Sequence, residues 1–139
     1  MTGNPSLFPY HEHVHSSLDD SLVLAESSIQ ELLSLGGDGA SELVAELVDL
    51  YLEDSRQRLA EARSAFESGE VETVFRTAHA LKSSSANMGA REFSRICANV
   101  EALEQAGDQA LEASHMDQMT ALYAEVERAL EDLRTLCGA

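Results

Sequence analysis

The sequence predicts an all-α fold: an antiparallel up-down-up-down four-helix bundle with a short additional helix at its N-terminus. Three observations carry that expectation. Both prolines, Pro5 and Pro9, lie in the first ten residues, so from Tyr10 onward every residue keeps the backbone donor a helix needs. Glycines at 36–39, 69, 89 and 107 divide the rest into segments whose apolar residues recur at helical spacing. Ala, Leu, Glu, Ser and Arg dominate those segments, a composition that favours helix over strand. No period-2 apolar run or Asn-Gly hairpin signal points to a sheet.

Residues 1–20 mix Pro, Gly, Ser, His and Asp without periodicity and are expected to form a flexible arm, leaving 21–139 as the bundle domain. A short helix is expected from Ser27 to Leu35, with Ser28 and Glu31 spaced as a capping box and Ile29, Leu32 and Leu33 as its apolar face. The run GGDG, Gly36 to Gly39, stops it. The first long helix should span Ala40 to Ser68, with Leu43, Leu47, Leu50, Tyr51, Leu52, Leu59, Ala62 and Phe66 as its apolar set and Gly69 as its breaker. The next should span Glu70 to Met88 and close at Gly89. A third, Arg91 to Ala106, carries Phe93, Ile96, Cys97, Val100 and Leu103 before Gly107. The last, Gln109 to Leu136, carries Met119, Leu122, Val126, Ala129, Leu133 and Leu136 on one stripe. Breaks this short force neighbouring helices antiparallel, and the short helix is expected to cover one end of the bundle.

Charge narrows the functions open to such a chain. Nine Lys and Arg against 25 Asp and Glu give a formal charge of −16, which disfavours nucleic acid and anionic membrane surfaces as partners. No apolar run reaches the ~18–20 residues of a spanning helix. The N-terminus has neither a basic nor an apolar signal region. Cys97 and Cys137 lack metal or redox spacing and suit reduced thiols at helical apolar positions. A cytoplasmic, monomeric, stand-alone protein is the expectation. The alternating His11, His13 and His15 of HEHVH offer three rings to a metal only if that stretch is extended, and no further ligand set accompanies them.

One residue stands apart from this pattern. Turning ~100° per residue, Val74, Ala78, Leu81, Ser85 and Met88 form the core stripe of their helix, and His79 lies roughly 140° from its centre. On the side of His79 lie Phe75, Arg76, Lys82, Ser83, Ala86 and, further on, Ala90. An exposed imidazole can serve as base, metal ligand or nucleophile. A base needs a cleft and an orienting carboxylate, which a convex helix does not offer. A metal needs a second ligand three or four residues away, where Phe75, Arg76, Lys82 and Ser83 stand. A nucleophile that meets another protein's active site needs exposure, small neighbours for close approach and a cation for the transferred anion. Those are the features present, and phosphoryl transfer asks mainly for positioning and charge neutralisation.

The stretch HALKSSSANMGA, His79 to Ala90, resembles the signature of histidine-containing phosphotransfer (HPt) domains: His-x-Leu-Lys-Gly, then small residues, then Gly. The helices before it, from Glu42 to Lys82, are similar to that family too, and the resemblance extends from Ile29 to Leu136. It implies that His79 is the phosphorylated residue, Leu81 its buried anchor, Lys82 the cation for the phosphoryl group and Gly89 the turn glycine. Phe75, Arg76, Ser83, Ala86 and Ala90 would then form the docking face. Ser83 departs from the family's usual glycine but is still small. The resemblance further implies that the Mg²⁺ and acceptor aspartate belong to receiver domains of response regulators and of a hybrid sensor kinase. The chain itself would need no cofactor or metal. It would be a relay rather than an enzyme, in keeping with the lack of a glycine-rich phosphate loop. The competing expectations are a helical adaptor without phosphotransfer, and a metal-binding bundle using His115 or the N-terminal histidines.

Overall fold

The computed structural model describes residues 39–138. The expected arm, the short helix Ser27 to Leu35 and His11, His13 and His15 lie outside the described residues. Four helices follow in order: α1 (Ala40–Glu67), α2 (Val71–Asn87), α3 (Arg91–Ala102) and α4 (Ala113–Gly138). Two 3-10 turns, Leu103–Ala106 and Asp108–Ala110, bridge α3 to α4. There is no strand among the described residues.

Two turns of one kind set the spacing of the first three helices. After α1, Gly69 adopts φ 76° while its N–H reaches Phe66 O at 3.1 Å and the N–H of Glu70 reaches Ala65 O at 2.8 Å. After α2, Gly89 adopts φ 84° while its N–H reaches Ala86 O at 3.0 Å and that of Ala90 reaches Ser85 O at 2.9 Å. Each is a Schellman closure, in which a left-handed residue lets the chain satisfy the carbonyls a helix end leaves open. Glycine alone takes that conformation without a Cβ clash.

Each helix packs against the next, and α1 closes the ring against α4. Cross-helix pairs give the sense of packing. Asp49 meets Arg134, and Arg56 meets Glu127 and Glu131, so α4 runs opposite to α1. Residue numbers descend in the same way between α2 and α3, where Ser94 meets Lys82 and Glu101 meets His79.

The core stripe of α2 is as expected, with Val74, Ala78, Leu81 and Ser85 fully buried and Met88 nearly so. In α3, Phe93, Cys97 and Val100 are buried, while Ile96 and Leu103 are partly so. Fully buried side chains such as Phe93 and Leu81 contribute roughly 1.5–3 kcal/mol each. Three apolar expectations change. Leu43 and Leu50 are exposed, at 37% and 64%, because α1 turns Val44, Val48, Tyr51, Leu52 and Ser55 inward instead. Leu136 is likewise half exposed, beyond Leu130 and Leu133, which are buried. The last helix also begins at Ala113 rather than Gln109. Leu111 is buried in extended backbone ahead of it, and the Glu112 N–H donates to His115 Nδ1 at 2.9 Å.

Hydroxyls cross this core in two buried pairs. Tyr51 Oη and Ser85 Oγ lie 2.6 Å apart, joining α1 to α2, and Ser55 Oγ and Tyr123 Oη lie 2.6 Å apart, joining α1 to α4. Unpaired, such groups would cost more than they contribute; paired, they admit one register of the helices. Burial pushes the Tyr51 hydroxyl well above its ordinary range and the Cys97 thiol up to about 12, so neither ionises at neutral pH.

Candidate phosphotransfer site

Lys82 and Ser94 fix the geometry of the exposed face. The Ser94 hydroxyl, near the start of α3, donates to the Lys82 carbonyl at 2.8 Å. Two turns further along α3, on the same side of the helix, comes Glu101. Register set at one end therefore places a carboxylate opposite His79 at the other.

Glu101 is the centre of the cluster. Its Oε2 lies 2.6 Å from His79 Nδ1 and its Oε1 lies 2.8 Å from Lys82 Nζ. A carboxylate with both oxygens so engaged can only accept, so Nδ1 is the protonated ring nitrogen. Hydrogen bonding from Lys82, and secondarily from His79, holds the Glu101 carboxyl below the usual glutamate range against the opposing cost of its partial burial. Nε2, at the far end of a ring that is 61% exposed, makes no hydrogen bond among the described residues. One nitrogen is tied and the other is open.

The remaining predicted residues divide. Leu81 is fully buried beneath the histidine, and Gly89 holds its positive φ. Arg76, Ser83 and Ala86 are exposed on the face of His79, and Arg76 is held by Thr73 Oγ1 at 3.3 Å. Phe75 and Ala90 are not on that face. Phe75 is 3% exposed, because α2 is packed on two sides and the 3-10 turn Leu103–Ala106 also packs against it. Ala90 is fully buried as the residue that folds under the helix end in the second Schellman closure. A single-stripe reading of α2 was too narrow for a helix with two neighbours.

Glu101 itself was missed, and with it the orienting carboxylate that the base reading of His79 was said to lack. It lies 22 residues away in sequence, beyond the reach of i, i+4 inspection. Reflecting the chain about the Gly89 turn brings Ala98 to Glu101 opposite His79, and that signal was available. A cleft of ≈ 500 Å³ does open one turn before the histidine, but its lining is Gly69, Glu70, Val71, Glu72, Thr73, Phe75, Glu104 and Asp108, without His79. His115 is half-buried and serves the start of α4. Among the described residues no three His, Cys, Asp or Glu side chains come together as a metal set. Among them, too, no helix is long and apolar enough to cross a membrane.

An exposed imidazole, mid-helix in a four-helix bundle and anchored through one nitrogen, defines a class of protein before any comparison is made. The family model for the Hpt domain matches residues 46–135, and the chain belongs to that family. It is similar in structure to histidine-containing phosphotransfer protein B (HptB) from Pseudomonas aeruginosa PAO1, with a TM-score of 0.72 and 25% sequence identity over 83% of this chain and 96% of that one. No curated protein sequence matches it. Its role is that of a phosphotransfer relay in two-component signalling.

Proposed function

We propose that His79 is the residue that carries the phosphoryl group, on Nε2, and that it exchanges it with the aspartate of response-regulator receiver domains. The observation that carries this is the division of labour on one ring: Nδ1 is held by Glu101 while Nε2 is open on an exposed face. Ser83 and Ala86, small and exposed beside it, leave room for a partner's active site to approach. Lys82, 2.8 Å from Glu101, is near enough to His79 to meet the incoming charge.

In transfer toward this protein, the Nε2 lone pair attacks phosphorus. The P–O bond of the acyl phosphate breaks, and its electron pair stays with the receiver's aspartate. In transfer away, a carboxylate oxygen attacks and the electron pair of the P–N bond returns to Nε2. Loose phosphoryl transfer of this kind needs in-line positioning and neutralised charge more than covalent assistance, and Lys82 supplies part of the latter. The Mg²⁺ that neutralises the rest is assigned to the receiver domain. On this reading the chain is a carrier and has no ATP chemistry of its own.

Incubation with a phosphorylated receiver domain should place acid-labile, alkali-stable label on the wild-type protein and none on His79→Gln. Label persisting in His79→Gln would overturn the assignment. Absence of label with a full panel of receivers would instead favour a helical adaptor.

A further inference from the structure

We propose that Arg76 is the second cation of this site: while Nε2 of His79 carries a phosphoryl group, the Arg76 guanidinium leaves Thr73 and donates to the phosphoryl oxygens. This rests on His79 as the phosphoryl carrier and says which residue holds the group between two partners.

A phosphoryl group brings roughly two negative charges to a protein whose formal charge is already −16. Lys82 answers them only in part. Its Nζ lies 2.8 Å from Glu101 Oε1, and the other oxygen of that carboxylate lies 2.6 Å from the ring. The lysine and glutamate charges sum to zero, and the carboxylate beside the ring repels the phosphoryl oxygens. The Mg²⁺ assigned to the receiver departs with the receiver. A phosphorylated carrier on its way between partners therefore needs a cation of its own that no carboxylate has claimed.

Arg76 meets that description. Arg56, Arg58, Arg95 and Arg134 are each held by a carboxylate, whereas Arg76 forms no ion pair among the described residues. Its Nη2 donates to the neutral Thr73 Oγ1 at 3.3 Å, a long bond, although Glu72 stands four residues before it. Residues three apart on a helix are surface neighbours, with Cβ atoms about 5–6 Å apart, so Arg76 and Lys82 flank His79 along α2, one on each side. Helical side chains lean toward the N-terminus of their helix, which tips the His79 ring toward the turn that carries Arg76. The other charged groups on the elements packed here are Glu72 and Lys82 on α2, Glu101 on α3 and Glu104 in the turn that follows; of these only Lys82 is a cation. The α1 helix contributes no hydrogen bond or ion pair to this cluster among the described residues. Arg76 is exposed, so its move away from Thr73 is a rotamer change and asks nothing of the backbone. Its planar guanidinium presents paired N–H donors at the spacing of two phosphoryl oxygens.

The test is a ³¹P NMR titration of the full chain after phosphorylation with phosphoramidate, in wild type, Arg76→Ala and Arg76→Lys. Phosphoramidate gives its phosphoryl group to Nε2 as its own P–N bond breaks, and the electron pair of that bond goes to the departing ammonia. The pH at which the phosphoryl group takes up a proton should rise by about one unit in Arg76→Ala, because the cation that favoured its doubly charged form is gone. Arg76→Lys keeps the charge but not the paired donors and should fall between the two. Above both pH values, the equilibrium between phosphorylated receiver and phosphorylated carrier should shift about tenfold toward the receiver in Arg76→Ala, the factor that matches one unit. A residue that only touched the partner would slow transfer in both directions and leave the titration and the equilibrium where they were. Urea unfolding of Arg76→Ala should match the wild type, since the side chain is exposed, so a changed titration is not a lost fold. An unshifted titration in Arg76→Ala would overturn the proposal and leave the relay reading standing. Failure of the wild type to form phosphohistidine at position 79 would instead sink the relay reading, and this proposal with it.

Discussion

The seam between α1 and α4 and the seam between α2 and α3 are both bridged by charged side chains, yet they spend that charge differently. On the first, Arg134 donates twice to Asp49, and Arg56 reaches both Glu127 and Glu131. Every guanidinium there faces a carboxylate, and the Asp49 carboxyl is held below its ordinary value by Arg134. On the second, one carboxylate serves two different donors, a lysine and an imidazole. Its hydrogen bonds leave Nε2 of the imidazole uncommitted. The first arrangement closes on itself, while the second leaves one ring nitrogen open at its exposed edge. A pairing that is incomplete on the solvent side distinguishes the seam for which we propose phosphotransfer from the seam that only holds.

Substitutions can break or sharpen that contrast. The largest loss of stability is expected for Phe75→Ala, because the ring is core and not docking surface: about 3–5 kcal/mol in urea unfolding, with transfer from any remaining folded protein intact. A folded, stable Phe75→Ala that docks poorly would restore the exposed placement. Lys82→Ala should slow phosphotransfer by up to about a hundredfold while leaving the thermal midpoint nearly unchanged, since the side chain is partly exposed. A large fall in that midpoint would make the α2–α3 pair structural like its counterpart. Gly89→Val forces a β-branched residue to a φ of 84° and should cost about 1–3 kcal/mol, again read by urea unfolding. The smallest effect belongs to the holding seam: Arg56→Ala should change stability by no more than about 1 kcal/mol and the transfer rate not at all.

Much of this was written in the sequence. The ends of α1 and α2 were legible because glycine marks a left-handed closure, and Leu81 and Ser85 were legible as core from 3.6-residue periodicity alone. The exposure of His79 was legible because the same periodicity set it far from the core stripe. The start of α4 was not. Two 3-10 turns and the buried Leu111 carry the chain past Gly107 with an extended step that no local propensity announces. Phe75 was misplaced because a helical wheel assumes one buried face, whereas α2 is covered from two directions. Leu43 and Leu50 were misplaced because leucine marks a helix more reliably than it marks the inside.

Local chemistry therefore determined the helices, the glycine closures and the exposure of His79, since each depends on neighbours within a turn or two. Packing decided the rest. Which flank of α2 is buried depends on what lies against it, and the buried hydroxyl pairs Tyr51 with Ser85 and Ser55 with Tyr123 exist only between helices. The partner of His79 was decided in the same way. Glu101 meets the ring because a three-residue turn folds α3 back along α2 and Ser94 sets the register. No interaction along a single helix could have revealed it.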